Sequence, residues 1–212
     1  MKTLIGNVLT VLLLAAVSYA QDNRQLFNGK DLDGWQHVGP GRFIVENGLL
    51  KTEGGMGLLW YTGQKFGNTR IRILYKPSHV KANSGIFIRI PEKPTEEWMP
   101  VNRGYEVQID DGEDEFHRTG VLYSLTKAIA KPEATGEWNT MEITLSGPHT
   151  VVEVNGVKVT DFSEGQPVPP KKKSYEPDRG PRPLEGYIGL QNHSKGDVVY
   201  FKEISVVSLT SK

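Results

Sequence analysis

The segment Tyr105-Glu106-Val107-Gln108-Ile109-Asp110 places two carboxylic acids and an amide at alternate positions, with Tyr105, Val107 and Ile109 between them. Successive side chains of a strand point to opposite faces, so Glu106, Gln108 and Asp110 share one face while the other three take the core. Two further runs alternate in the same way. Gly85-Ile86-Phe87-Ile88-Arg89-Ile90 sends its three isoleucines to the core and Phe87 and Arg89 to the opposite side. Tyr187-Ile188-Gly189-Leu190-Gln191-Asn192-His193 buries Ile188 and Leu190 and turns Tyr187, Gln191 and His193 outward. If the three strands belong to one sheet, an arginine, two carboxylates, two amides, a histidine and aromatic rings gather on one surface. An antiparallel sheet usually has one wet face, so polarity alone carries no function. The mixture is more informative. A solvated face favours Lys, Thr and Glu, and the strand where Arg70, Arg72 and Lys76 oppose Ile71, Ile73 and Tyr75 reads as structural. Gln, Asp, Arg, His, Phe and Tyr are the types that hold a sugar or polarise a carbonyl.

Several other chemistries are disfavoured. Four residues along an extended strand separate the Cα atoms of Glu106 and Asp110 by roughly 13 Å. Paired-carboxylate glycoside hydrolysis needs its acids about 5–5.5 Å or about 6.5–9.5 Å apart, so these two are a poor pair for it. The chain has no cysteine, which removes thiol nucleophiles, disulfides and cysteine-ligated metals. It has no His-x-x-x-His or carboxylate–histidine ligand spacing either, so neither a metal nor another cofactor is expected. Asp110 to Glu115 is acidic but lacks the full calcium-loop pattern. Gly54-Gly55-Met56-Gly57 has no helix after it to cradle a phosphate. His117 leads into the run that ends near Tyr123, within reach of the same rim as Asp110.

These residues need a sheet to position them. The chain has 212 residues, with 25 basic and 25 acidic side chains, 23 glycines and 13 prolines. Balanced charge argues against a nucleic-acid groove or a polybasic membrane patch. Lys2, the apolar run Val8 to Val17 and Ser18-Tyr19-Ala20 read as a signal peptide cleaved after Ala20, too short to be a membrane anchor. Residues 21–212 then form one exported, soluble domain. About a dozen period-2 runs follow, among them Arg42–Glu46, Leu49–Thr52, Leu58–Thr62, Arg70–Tyr75, Gly120–Ser124, Met141–Leu145 and Val198–Val207. Asn47-Gly48 and Asn155-Gly156 suit type I′ hairpin turns. So many strands and so little helix predict an all-β sandwich or barrel, with short helices at most around Glu92–Trp98 and Leu125–Lys131. Ser163 to Gly186 holds six of the 13 prolines and Lys171-Lys172-Lys173, and reads as a long crossing loop.

The order of motifs resembles the 3-keto-disaccharide hydrolase family, first described as a domain of unknown function. The resemblance starts at Leu26-Phe27-Asn28-Gly29-Lys30-Asp31-Leu32-Asp33-Gly34-Trp35. It continues through Asn83-Ser84-Gly85-Ile86-Phe87-Ile88-Arg89, Gly104 to Asp110, Thr119-Gly120-Val121-Leu122-Tyr123, Gly136-Glu137-Trp138-Asn139, Val154-Asn155-Gly156 and Gly189 to His193. It implies a concanavalin A-like jelly roll of two antiparallel sheets with a concave ligand face. It also implies an exported enzyme whose partner is a carbohydrate, a glycoside carrying a ketone at C3. On that footing Arg89 would face the carbonyl or enolate oxygen, with Glu106 or His193 as base. Phe87, Gln108, Asp110, His117, Tyr123 and Gln191 would hold the sugar. Two departures stand out, the Pro-rich stretch from Pro91 to Pro100 and the long Ser194-Lys195-Gly196-Asp197 turn after His193. A hydratase or lyase performing half of the reaction, and a non-catalytic carbohydrate-binding domain, stay open as alternatives.

Overall fold

A computed structural model describes residues 23–132 and 137–210. The expected leader and its cleavage site lie outside the described residues. In chain order the strands are β1 (Asn23–Gln25), β2 (Trp35–Val38), β3 (Arg42–Glu46), β4 (Leu49–Glu53), β5 (Gly57–Tyr61), β6 (Thr69–Pro77) and β7 (Ser84–Ile90). A short helix α1 (Met99–Arg103) precedes β8 (Tyr105–Ile109), β9 (Asn139–Ser146), β10 (His149–Val154), β11 (Val157–Ser163), β12 (Tyr187–Asn192) and β13 (Val199–Ser208). They make two antiparallel sheets, one ordered β11-β10-β9-β6-β13-β4-β3 with β1 added beside β13, the other β2-β5-β12-β7-β8. This is the expected jelly-roll sandwich.

Alternation builds the core as the sequence suggests. Ile71, Ile73 and Tyr75 of β6 pack with Phe43, Leu50, Met141, Ile143 and Phe201 from the larger sheet. Ile86, Ile88, Val107, Ile109, Ile188 and Leu190 face them from the smaller one. Both Asn-Gly turns adopt positive φ at both residues, 54° and 77° at Asn47 and Gly48, 50° and 77° at Asn155 and Gly156. That geometry matches the right-handed twist of the hairpins they close.

The two short helical expectations do not hold. The only helix among the described residues starts after Trp98, with Pro100 in its first turn, and residues 125–131 form bends and turns. Nor is Gly120–Ser124 a regular strand. Gly120 (φ 88°) and Ser124 (φ 58°) bend it, so it follows β8 through backbone bonds such as Tyr123 N–H to Glu106 C=O at 2.9 Å and one isolated bridge, Val107 to Leu122.

The smaller sheet departs from a one-sided sheet. Every residue of β7 and β8 is buried, so its outer face is covered rather than wet. A second apolar layer lies there, formed by Leu58, Trp60, Phe87, Ile90, Met99 and Val101. Ile90 belongs to this outer layer and not to the inter-sheet core, against the alternation. The cause sits one residue earlier. Arg89 has φ 54°, and the pairing with β12 slips between Tyr187 and Gly189, which marks a bulge. The extra residue reverses the faces beyond it.

Arg89 is therefore corrected from a cleft residue to a structural one. Fully buried, it donates to Pro183 C=O at 2.9 Å and to Gly147 C=O at 2.8 Å, with Thr150 Oγ1 at 3.4 Å. It ties the bulge to the β9–β10 turn and to the long loop, whose Gly186 has no room for a side chain: a Cβ there would lie 2.3 Å from the Arg89 carbonyl carbon. Arg89→Met should leave these carbonyls unpaired and lower the unfolding free energy by about 3 kcal/mol, as expected when hydrogen bonds to a buried charged group are lost. Equilibrium urea unfolding of both proteins measures this; a loss below about 1 kcal/mol would contradict the anchoring role.

Candidate functional site

The site begins with a glycine. In the smaller sheet β7 lies between β12 and β8, and Gly85 pairs with Gln108 while Phe87 pairs with Glu106. A Cβ on Gly85 would sit 2.5 Å from Glu106 Oε1 and 2.7 Å from its Cγ. The bare backbone of Gly85 thus lets the Glu106 side chain lie across β7 toward β12, where its carboxyl accepts a hydrogen bond from the Gln191 amide. Three adjacent strands are joined on their outer face by one acid–amide contact.

Around it lies a cavity of about 430 Å³. Glu106, Gln108 and Gln191 from the sheet supply its polar side, together with Asn83 just before β7. Met56, Trp98, Val101, Tyr123 and Tyr175 supply apolar and aromatic walls, and His193 stands at the end of β12. Three amide oxygens in this lining are buried without a hydrogen-bond partner among the described residues: Gln108 Oε1, Gln191 Oε1 and Asn83 Oδ1. Buried acceptors left open are costly unless a ligand or water meets them, so the cavity suits a ligand rich in donors such as hydroxyl groups. Among the described residues no three His, Asp or Glu side chains converge in a way that would hold a metal ion.

Electrostatics single out one group. Glu106 is 6% exposed, and burial pushes its pKa up to about 8, opposed only in part by the Gln191 hydrogen bond. A carboxyl poised near neutrality can both take and give a proton. Burial, then the neighbouring Glu106 charge, also raises the Tyr123 hydroxyl, which stays protonated as a donor. His193 is exposed at the rim, its Nδ1 2.7 Å from Asp197 Oδ2, an arrangement that leaves Nε2 free for a ligand. Burial alone would raise Asp197, but hydrogen bonds from Ser194, His193 and the Asn83 backbone N–H outweigh it and hold this carboxylate below its usual range.

The remaining expected residues divide by position. Gln108, Tyr123, Gln191 and His193 line the cavity with Glu106. Phe87 is buried beneath it in the outer apolar layer. Asp110 stands off the cavity as a brace: its carboxylate accepts from Gly112 N–H at 2.8 Å and Asn83 Nδ2 at 3.2 Å. His117 packs edge-on against Tyr123, ring centroids 5.2 Å apart, with its Nδ1 2.8 Å from Asp114 Oδ1. Arg89 points to the other side of the sheet. Alternation misses Asn83, Met56, Trp98, Tyr175 and Asp197, because all lie in loops, where period 2 has no meaning. A signal for Asn83 did exist, since it opens one of the family motifs.

The raised pKa of Glu106 has a consequence for stability. Between the unfolded value near 4.5 and the folded value of about 8 the native state keeps a proton that the unfolded chain has lost, so stability falls as pH rises through this window. Glu106→Gln removes the ionisation. The variant should match the wild type near pH 4 and exceed it above pH 8, by at most about 5 kcal/mol. Thermal melts across this range test it; a constant difference at all pH values would show that Glu106 titrates normally.

A candidate glycosyl hydrolase from Parabacteroides distasonis is 25% identical in sequence, with a TM-score of 0.74 over 93% of this chain and 99% of that one. A Bacillus subtilis protein of unknown function with a galectin-like fold follows the same path at 12% identity, TM-score 0.62, over 90% of this chain and 96% of that one. A carbohydrate-binding module from Bacillus subtilis does so at 12% identity, TM-score 0.55, over 82% and 96%. The last two show the fold alone. No curated protein matches the chain. A family model does, over residues 22–207, nearly the whole length that carries the sheets and the cavity: the chain belongs to the 3-keto-alpha-glucoside-1,2-lyase-like domain family.

Proposed function

We propose that the protein is an exported enzyme that cleaves 3-keto-glycosides by elimination, followed by addition of water. The observation that carries the reading is Glu106, a buried carboxyl with its pKa near 8 in a cavity of unpaired amide acceptors. A ketone at C3 acidifies the hydrogen at C2. Ionised Glu106 takes that proton, and the electron pair forms the enolate. The enolate collapses to the C1=C2 double bond as the bond from C1 to the leaving oxygen breaks, and that oxygen takes a proton. Water then adds across the double bond, its hydroxyl at C1 and a proton at C2, for net hydrolysis.

The donor at the enolate oxygen is no longer Arg89. Tyr123, protonated and lining the cavity beside Glu106, takes that place, and His193 at the rim protonates the leaving oxygen. Gln108, Gln191 and Asn83 accept from sugar hydroxyls. A purely binding role leaves the perturbed acid without a task, whereas a reaction that halts after elimination would use the same residues; product analysis separates a lyase from a net hydrolase.

Glu106→Gln should lower kcat/KM on a 3-keto-glucoside by 100- to 10,000-fold, the range for loss of a positioned acid–base group. Gly85→Ala, whose methyl displaces the Glu106 carboxyl, should cause a comparable loss. The wild-type rate should rise with pH through about 8 as Glu106 ionises. In heavy water the released sugar should carry deuterium at C2. Wild-type rates in both variants with the C2 hydrogen retained would reject the mechanism.

Export rests on Lys2, the apolar run Val8 to Val17 and the Ser18-Tyr19-Ala20 site. N-terminal sequencing of the protein recovered from its native host should begin at Gln21; an intact Met1 on secreted material would contradict it.

A further inference from the structure

Two aromatic side chains at the cavity mouth have no part in the chemistry above. Trp98 is 43% exposed and Tyr175 is 55% exposed, although most of the large apolar residues around them are buried. Both line the main cavity, and both also line a second recess of about 200 Å³ with Asn102 and Ser174. The two spaces are therefore neighbours, and the aromatic pair forms the wall they share. One space holds Glu106 and the amides on its polar side; the other offers two rings, an amide and a hydroxyl.

The pair is held in place from below. Trp98 caps α1, whose Met99, Pro100 and Val101 are buried. Tyr175 precedes Glu176, which is 4% exposed and accepts from Arg179 at 2.9 Å and from Lys172 N–H at 2.9 Å. Arg179 continues to Ser124 C=O, 3.2 Å away. The buried Arg182 donates to Gly104 C=O at 2.8 Å and Asn102 C=O at 2.9 Å, tying the same loop to the end of α1. The backbone that carries both rings is thus fixed before a ligand arrives, which lowers the ordering cost of binding.

We propose that the recess between Trp98 and Tyr175 binds the leaving group, and that the group it takes is a hydroxylated ring with an apolar face. This rests on the reaction proposed above, which places the 3-keto ring against Glu106 and its C1 substituent toward the open side. A flat ring stacks on aromatic side chains, and its hydroxyls meet the Asn102 amide and the Ser174 hydroxyl. A phenolic ring and a second pyranose share this chemistry, so both are probes.

The test compares methyl, 4-hydroxyphenyl and glucosyl derivatives of 3-keto-glucose as substrates, and the corresponding unoxidised glucosides by calorimetry. Ring-bearing substrates should exceed the methyl compound at least tenfold in kcat/KM, and ring-bearing glucosides should exceed methyl glucoside in affinity. Trp98→Ala and Tyr175→Ala, on separate elements, should each bring these ratios toward one. The better of the two ring compounds identifies the leaving-group class. Ratios near one in the wild type, or ratios unchanged in both variants, would overturn the subsite. No turnover of any 3-keto compound, with the affinity ratios intact and sensitive to both substitutions, would reject the reaction and keep the ring site. No measurable binding of any ring-bearing compound, together with no preference in turnover, would reject the subsite.

Discussion

The contact between Glu106 and Gln191 over the bare backbone of Gly85 is the constraint around which the site is arranged. It needs three strands in the order β12-β7-β8, a glycine in the middle one, and a cover that keeps water from the carboxyl. The cover is supplied by α1 and the long loop, which together convert one face of an ordinary sheet into an enclosed floor. Desolvation then does the chemical tuning. In water a glutamate is too weak a base to hold a proton near neutrality; here burial brings it to about 8.

The cover depends in turn on buried arginines. Arg89 ties the bulge in β7 to Pro183 of the loop, and Arg182 ties the loop to the carbonyls at the end of α1. Tyr105, on the core side of β8, donates to Glu164 Oε2 at 2.8 Å and lies under the Arg182 guanidinium. Each guanidinium satisfies backbone carbonyls of loops, which have no ladder of their own. The arginine expected to hold a substrate oxygen instead holds the protein oxygens that keep the cavity covered.

The sandwich, both Asn-Gly hairpins and the outward set Glu106, Gln108 and Gln191 were legible because strands impose a period of two and antiparallel turns need positive φ. Arg89 and Ile90 were misassigned for one reason: a single residue in the left-handed region shifts every later side chain to the other face, and no residue type in Ile88-Arg89-Ile90 announces it. Tyr175 and Asp197 were out of reach for a different reason. Their positions follow from where loops cross the sheet, which is a property of tertiary packing. The family motifs did mark Asn83, whose backbone and side chain are held by Asp197 and Asp110 respectively.

The composition of the lining bears on which reactions the cavity suits. Glu106 is the one carboxylic acid among its lining residues, and Asp110, the natural candidate for a second, is engaged with Gly112 and Asn83. Direct displacement at C1 calls for two acids facing each other across the bond, one to protonate and one to attack or activate water. Elimination next to a ketone does not. It moves one proton from carbon to a single base, and the substrate's own carbonyl holds the electrons that a second carboxylate would otherwise have to balance. A lone buried carboxyl of raised pKa, with amide and phenol groups around it, is the arrangement that the proposed elimination asks for.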